Sequence, residues 1–257
     1  KGYKVAGYDR TQSPLTTELK TEGLEIVYEE SVESIPDYCR NPETTLVVYT
    51  PAIPASHAGL VYFREHGFRV VKRAELLGLI TQSSKGLCFA GTHGKTTTSS
   101  MAAHIFHESP IGCNAFLGGI LRNYNSNLIL SEQSPFTVIE ADEYDRSFHW
   151  LHPYMAVVTA TDPDHLDIYG TEEAYLESFA RFTSLIQPGG CLIMKKGIKL
   201  VPSVKENVKI YTYSARDGGD FHAGNIRIGD GTIVFDFVMP EGSVADIELG
   251  VPVEINI

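Results

Sequence analysis

In the first third of the chain, segments with the apolar pattern of strands alternate with segments that have the apolar spacing of helices. Short β-branched or aromatic runs predict strands, and segments with helical spacing and helix-start signals lie between them. Ser13-Pro14 and Ser56 mark two helix starts, AELLGLI predicts a third helix, and residues 81–86 predict a linker. The predicted strands of this region are YKVAGYD, EIVY, TTLVVYT and FRVV.

A second alternating series begins after the linker. A helix capped by Thr171 carries Tyr175, Phe179, Phe182 and Ile186 at spacings of three and four residues, the apolar stripe of a helix that packs on a core. The other elements predicted here are the strands GLCFA, FTVI, MAVVTA and CLIM and a helix from Thr96 to about His107. Alternation of strands and helices predicts two α/β units with parallel sheets, which we divide into domains 1–82 and 83–257.

Two places depart from this alternation. From Tyr211 onward, short strands separated by Gly-Asp-Gly, as in NIRIGDGTIVFDFV, predict a β-hairpin region. In HESPIGCNAF, the room between a helix end and the next element is so small that we expect residues to be missing at Ser109-Pro110.

Composition and charge exclude several functions. The 257 residues are 43% hydrophobic and 21% charged, which is typical of a soluble globular protein. A net charge of −11 without a basic tract argues against nucleic-acid binding. Four cysteines without metal-ligand spacing indicate reduced thiols in a cytosolic protein. No apolar run is long enough to span a membrane, and the first residue is Lys1, so we expect that the natural N-terminus is missing from this sequence.

One loop between a predicted strand and a predicted helix has the chemistry of a phosphate site. The segment CFAGTHGKTTTSSM contains Gly91 and then Gly94-Lys95-Thr96. In such a loop, backbone N–H groups point at phosphates, the lysine neutralises their charge, and the threonine hydroxyl coordinates Mg²⁺. The general pattern has a glycine where this chain has Phe89, so the motif is a shortened GxxGKT. An ordinary strand–turn–helix with an incidental GKT is the alternative.

Acidic residues follow two strands that would end beside this loop. Ligands of open α/β sheets bind at the carboxyl ends of strands, and a bound Mg-nucleotide needs carboxylates there. Glu140 stands first after its strand and is the best candidate metal ligand, while His165 in the second acidic loop is as often structural as functional. The acidic groups are Glu140, Asp142, Glu143 and Asp145 after FTVI, and Asp162, Asp164, His165 and Asp167 after MAVVTA.

The motifs GTHGKTTT, IEADEYDRSF and DHLDIY, in this order and spacing, resemble those of the Mur ligases of bacterial peptidoglycan synthesis. NAFLGG and YTPAIP fit the same family, and the similarity runs along the whole chain. The resemblance implies a Rossmann-like N-terminal domain, truncated at its start, that binds the UDP-muramoyl substrate. It also implies a P-loop α/β domain with a mainly parallel sheet and a small antiparallel β region.

The resemblance is strongest to the family members that use L-alanine. It further implies a reaction and the residues of its site. ATP would phosphorylate the lactyl carboxylate of UDP-N-acetylmuramate, and L-alanine would attack the acyl phosphate, with Mg²⁺ present, in the bacterial cytoplasm. Lys95, Glu140 and His165 are the implied catalytic residues, and Thr96, Glu140 and His165 the implied metal ligands. The implied ATP contacts are Gly91, Thr92, His93, Gly94, Lys95, Thr96 and Thr97. Weaker assignments to substrate are Asp9, Thr50, Pro51, Ala52, Ile53, Asn114, Gly118 and Gly119.

Three departures from the family pattern limit these expectations. The glycine-rich loop near the family's N-terminus is absent, and so is the C-terminal domain that helps to bind ATP and the amino acid, so we expect this chain alone to be inactive. The acidic loop reads TDPDHLD where relatives often have Asn-x-Glu-x-Asp-His, which leaves the role of Asp162 open.

Alternative functions remain at this stage. A murein tripeptide ligase shares the P-loop and EADEYD, although SFHWLHP and DHLDIYG favour the L-alanine enzymes. Folylpolyglutamate synthase is more distant. From another class, a non-catalytic module that binds a nucleotide or a UDP-sugar fits the chain, although intact Lys95, Thr96 and Glu140 argue against a degenerate enzyme. The sequence does not determine the oligomeric state.

Overall fold

The computed structural model describes residues 2–216, 218–229 and 231–250. These form two compact units that divide between Leu76 and Leu77. No helix in the described part of the chain combines the length and apolar character needed to cross a bilayer. The predicted domain boundary at residues 82 and 83 stays a prediction.

The first unit contains two short parallel strand pairs. β1 pairs with β2, and β3 pairs with β4. Ser13 caps α1 as predicted, because its hydroxyl accepts the Thr16 N–H while Thr16 bonds back to the Ser13 backbone. The elements are β1 (Ala6–Tyr8), α1 (Pro14–Thr21), β2 (Glu25–Val27), a 3-10 helix (Asp37–Cys39), β3 (Leu46–Tyr49), α2 (Ala58–Glu65), β4 (Arg69–Lys72) and α3 (Arg73–Gln82), which begins in the first unit and ends in the second.

Two boundary predictions in this region were wrong. α2 is capped by His57 rather than started by Ser56, because the His57 ring accepts the Leu60 N–H at 3.4 Å. Residues 81–86 are not a linker, since α3 continues to Gln82 and the next strand begins at Lys85. The polar run Thr81-Gln82-Ser83-Ser84 indicated a loop, yet the Thr81 hydroxyl turns back to the Gly78 carbonyl at 2.8 Å and is buried.

The second unit is built on one sheet. Its elements are β5 (Lys85–Ala90), α4 (Lys95–Glu108), β6 (Asn114–Leu121), β7 (Ser126–Ile129), β8 (Phe136–Glu140), a 3-10 helix (Tyr144–Trp150), β9 (Pro153–Val158), α5 (Leu166–Tyr169), α6 (Glu172–Ser184), β10 (Cys191–Lys195), β11 (Lys209–Ser214), β12 (Phe221–Gly229), β13 (Thr232–Met239) and β14 (Gly242–Leu249). Over the described residues the strand order is β14-β13-β12-β11-β10-β9-β5-β8-β6-β7.

The sheet is parallel at its centre and antiparallel at its margins. Each pair of neighbouring strands from β6 through β8, β5, β9, β10 and β11 to β12 runs parallel. At one margin β7 pairs antiparallel with β6, and at the other β13 pairs antiparallel with both β12 and β14. The predicted fold class is therefore confirmed. The β-hairpin region begins later than predicted, because β11, which contains Tyr211, still pairs parallel with β10. Asp230 of the predicted turn lies outside the described residues.

The core confirms the predicted apolar stripe. Tyr175, Phe179, Phe182 and Ile186 are all fully buried against the strands. The connection at Ser109-Pro110 needs no additional residues, because a turn in which the Gly112 N–H donates to the Ser109 carbonyl joins α4 to β6. The compact turn, rather than a longer loop, accounts for the short spacing in the sequence.

Strand order brings three loops to one edge of the sheet. β5 lies between β8 and β9, with Phe89 opposite Glu140 and Ala90 opposite Val158. The loop that joins β5 to α4 is therefore flanked by the two acidic loops that follow β8 and β9. This is the edge at which parallel sheets bind ligands.

Candidate phosphate-binding site

The loop from β5 to α4 has a backbone that only glycine accommodates. Gly91 has a φ of +139°, and a Cβ there would lie 2.2 Å from the Thr159 hydroxyl oxygen. Gly94, at the start of α4, has a φ of +83°. The Thr159 hydroxyl at the end of β9 donates to the His93 carbonyl, which holds the loop against the sheet.

The N-terminus of α4 is open toward this edge. No side chain in the described part of the chain caps it, because the capping position is Gly94. The N–H groups of a first helical turn have no partner within the helix and carry a partial positive charge. These groups fit a phosphate.

Lys95 is held by two groups of the protein. Its Nζ donates to the Gly91 carbonyl at 2.8 Å and to Glu143 Oε1 at 2.8 Å, and it lies 2.8 Å from Oε2. The Glu143 side chain is only 1% exposed and that of Lys95 15%. The Tyr169 hydroxyl donates to the Glu143 carbonyl at 2.5 Å, so both the backbone and the side chain of Glu143 are fixed.

Glu140 is joined to the first turn of α4. The Thr96 hydroxyl donates to Glu140 Oε1 at 2.9 Å, and the Gly118 N–H donates to Oε2 at 2.9 Å. A Cβ on Gly118 would lie 2.5 Å from Oε2, and one on Gly119 would lie 3.1 Å from Thr96 Cγ2. The two glycines of β6 therefore leave the space in which Glu140 meets Thr96.

A hydroxyl and a carboxylate side by side fit Mg²⁺, which prefers oxygen ligands and binds protein through one or two carboxylates together with phosphates. Thr96 and Glu140 are such a pair. Among residues 2–216, 218–229 and 231–250, however, no group of three His, Cys, Asp or Glu side chains has the geometry of a metal site.

The remaining loop residues take different positions. The Thr92 hydroxyl donates to the Asp162 carbonyl at 2.7 Å and lies 2.8 Å from the Tyr175 hydroxyl. Burial raises the pKa of Tyr175, so its hydroxyl stays protonated. His93 and Thr97 are exposed on either side of Gly94-Lys95-Thr96.

His165 is not brought into contact with Glu140. It caps α5 with a φ of +52°, and its N–H donates to Asp164 Oδ1 at 2.7 Å. Its ring Nε2 lies 3.8 Å from Asp164 Oδ2, and the Tyr144 ring packs edge-on with ring centres 5.3 Å apart. The Asp164-His165 pair is thus intact, but it is separate from the Thr96–Glu140 pair.

Asn114 lies at the far end of β6 from Gly118. Its Oδ1 accepts the Ser131 N–H at 3.0 Å, and its amide nitrogen reaches the Ser134 and Phe136 carbonyls at 3.4 and 3.5 Å. Its side chain therefore organises the start of β6, and the structure does not bring it to the phosphate loop.

Two of the weaker assignments in the first unit line a cavity of 280 Å³. Thr50 and Ile53 line it together with β1 and β3, and the Ile53 N–H donates to the Thr50 carbonyl at 3.1 Å. Pro51 and Ala52 are exposed in that turn. The Asp9 carboxylate accepts the Thr11 N–H at 3.0 Å and closes the loop after β1.

Three residues of the site were not singled out from the sequence. Glu143 belongs to the acidic run after β8, but its position in the chain gave no reason to separate it from Asp142 or Asp145. Thr159 and Tyr175 gave no signal, because a strand-end threonine and an aromatic residue of a helix stripe are ordinary core features. The contacts of these three with Lys95, His93 and Thr92 arise from the tertiary fold.

Known proteins share the sequence and the fold of this chain. The UDP-N-acetylmuramate–L-alanine ligase of Parabacteroides distasonis is 65% identical over 257 residues, which are 100% of this chain and 56% of that protein. The chain therefore spans little more than half the length of this curated relative.

Two solved structures share the fold at low identity. The UDP-N-acetylmuramate:L-alanyl-gamma-D-glutamyl-meso-diaminopimelate ligase of Neisseria meningitides matches with a TM-score of 0.82 at 21% identity, over 99% of this chain and 83% of that one. The UDP-N-acetylmuramate-alanine ligase of Thermotoga maritima matches with a TM-score of 0.75 at 22% identity, over 96% of this chain and 55% of that one.

Two family models cover nearly the whole chain between them. The model for the Mur ligase family, catalytic domain, matches residues 1–85, and the model for the Mur ligase middle domain matches residues 89–257. The second match alone spans more than half of the chain, and it includes the loop with Lys95, the Glu140 strand end and His165. The chain therefore belongs to the Mur ligase family.

Proposed function

We propose that the protein to which this chain belongs is an ATP-dependent ligase of peptidoglycan precursor synthesis. It joins L-alanine to the lactyl carboxylate of UDP-N-acetylmuramate through an acyl phosphate. The contact of Thr96 with Glu140 beside the open N-terminus of α4 carries the proposal, because it combines a phosphate site with ligands for Mg²⁺. The name of the relative from Parabacteroides distasonis supports the choice of substrates.

The chain's own residues provide charge neutralisation and positioning. The N–H groups after Gly94 and the Lys95 ammonium meet the phosphates of ATP, and Thr96 with Glu140 holds Mg²⁺, which when bound neutralises charge on the phosphates. Phosphoryl transfer depends mostly on such positioning and electrostatic stabilisation. We also propose that His165 assists at the metal, although it contacts Asp164 and Tyr144 here.

The proposed domains divide the substrates between them. Residues 1–82 hold the UDP part of the sugar nucleotide near Asp9 and the Thr50–Ile53 turn. Residues 83–257 hold ATP, and Gly118 and Gly119 lie beside the reacting end of the sugar nucleotide. The groups that hold L-alanine lie outside residues 1–257. Acyl-phosphate chemistry needs water excluded and the amine held in line, so this chain alone is expected to form no amide.

The test uses the full-length protein that contains this chain, and the chain itself, each with ATP, Mg²⁺, UDP-N-acetylmuramate and either L-alanine or the murein tripeptide. Mass spectrometry detects the amide product. We expect product from the full-length protein with L-alanine and none from the chain alone. Preference for the tripeptide would instead identify a murein tripeptide ligase, and nucleotide binding without product would identify a binding module.

A further inference from the structure

We propose that Glu143 is the resting partner of Lys95 and that nucleotide phosphates compete with it for the lysine. In this role Glu143 is a positioning residue, which determines how strongly the site attracts a di- or triphosphate. The inference rests on the proposed nucleotide binding by the loop and concerns a carboxylate that neither the motif nor the family resemblance singled out.

The geometry of the pair carries the inference. Lys95 Nζ lies 2.8 Å from each carboxylate oxygen of Glu143, and its other bond is to the Gly91 carbonyl at 2.8 Å. An ammonium group has three N–H donors, and at least two of these are used by the protein. A phosphate on the loop must therefore share or displace a group that Lys95 already binds.

Glu143 is held so that it does not follow the lysine. Its side chain is 1% exposed, and its carbonyl accepts both the Tyr169 hydroxyl at 2.5 Å and the Arg146 N–H at 3.0 Å. Lys95 is attached to a flexible four-carbon stem and lies nearer the solvent. When Lys95 turns toward phosphate, the carboxylate stays behind as a negative charge close to the phosphates.

The two glutamates after β8 thus have different partners. Glu140 receives neutral donors from Thr96 and Gly118, whereas Glu143 binds the cation of the loop. Because charges interact more strongly away from water, the buried carboxylate opposes phosphate binding more than an exposed one does. The opposition grows with the number of phosphates that lie over the loop.

The test is calorimetry of the full-length protein that contains this chain, with AMP, ADP and ATP in the presence of Mg²⁺. Glu143→Gln keeps the shape and one acceptor for Lys95 but removes the charge. We expect ADP and ATP to bind about tenfold more tightly, which corresponds to about 1.4 kcal/mol, while AMP binding stays unchanged. A merely structural role would alter all three nucleotides alike.

Two further variants complete the design. Asp142 precedes Glu143, and its exposed carboxylate accepts the Tyr144 N–H. Asp142→Asn therefore removes the same charge one residue away, and the ADP affinity of this variant should equal that of the unchanged protein. Glu143→Asp withdraws the carboxylate by one methylene and should tighten ADP binding in the same direction by a smaller factor. It serves as the test if Glu143→Gln does not fold.

The outcomes separate the two proposals. Unchanged or weaker ADP and ATP binding by both Glu143 variants, with normal binding by the unchanged protein, overturns this inference and leaves the proposed function standing. Equal tightening in Asp142→Asn also overturns it, since general charge would then be the cause. No binding of any nucleotide by the unchanged full-length protein overturns both.

Discussion

The loops after β8 and β9 are similar in composition but contact the phosphate loop in different ways. Each follows a buried strand beside β5 and carries several acids. The end of β8 and the loop after it send two carboxylates to the first turn of α4, those of Glu140 and Glu143. The loop after β9 instead contributes the Thr159 hydroxyl and the Asp162 carbonyl, while Asp164 binds its own neighbour, His165.

The difference lies in how the backbone presents each acid at and beyond its strand end. Glu140 is the last residue of β8, so the sheet fixes its direction. The acids after β9 begin at Asp162, four residues beyond Val158, where the backbone carbonyl rather than the carboxylate meets Thr92. Acid-rich strand ends therefore do not all supply site carboxylates, and the path of the backbone beyond the strand decides which ones do.

The largest expected effect concerns the Lys95–Glu143 pair of the β8 loop. Lys95→Met should weaken ATP binding by about 100-fold, because a charge-assisted bond to phosphate is lost. It should also lower the free energy of unfolding by about 3 kcal/mol, since the buried Glu143 carboxylate is left unpaired. The double variant Lys95→Met/Glu143→Gln should recover most of that stability.

Urea unfolding of the two single variants and the double variant measures this coupling, and calorimetry measures ATP affinity. Lys205→Ala, at an exposed position, is the control and should change neither quantity. Additive stability losses in the double variant would mean that the pair is not coupled in solution, and the carboxylates of the β8 loop would then differ less from those of the β9 loop.

An intermediate effect is expected when the two proposed metal ligands are compared directly. Glu140→Gln should weaken ATP binding about tenfold at low Mg²⁺, and added Mg²⁺ should restore part of it, because a carboxylate ligand is lost. His165→Gln should change the Mg²⁺ dependence by less than about threefold.

Calorimetry with ATP over a series of Mg²⁺ concentrations distinguishes these variants. Equal Mg²⁺-dependent losses would break the comparison, because they would mean that the β9 loop moves to the metal when the nucleotide binds. A loss for Glu140→Gln that is the same at every Mg²⁺ concentration would assign Glu140 a structural role through Thr96 and Gly118.

The smallest expected effect concerns the continuation of the β8 loop into its 3-10 helix. His149 is half-buried there and contacts the Ser178 carbonyl at 2.9 Å, and burial lowers the pKa of His149. The unfolded chain therefore takes up this proton first as the pH falls below about 6.5, so the folded state loses stability in that range, by less than about 1.4 kcal/mol per pH unit.

Thermal unfolding of the unchanged chain between pH 7.5 and about pH 5 checks this direction. His149→Gln should flatten the pH dependence, whereas His66→Gln at an exposed position should leave it as it is. A steeper dependence in His149→Gln would show that the loop after β8 is not anchored to α6 through a neutral imidazole.

The sequence by itself determined the class of fold and the chemistry of the loop. The α6 stripe, the cap at Thr171 and the GxxGKT between a strand and a helix are local patterns, and local spacing is enough to specify them. The contact of Thr96 with Glu140 was also predictable, because the acid stands at the end of its strand and parallel strands end at one edge.

Only the tertiary structure decided which side chains contact each other at the site. Glu143, rather than Asp142 or Asp145, reaches Lys95 because the backbone after β8 turns its side chain inward beneath Tyr169. Asn114 is bound to the backbone at the far end of β6, and His165 is turned to Asp164, although both belong to motifs read from the sequence. Residue type and spacing specify which groups are available, but the path of the backbone between distant strands specifies which of them meet, and that path depends on contacts made far away in the chain.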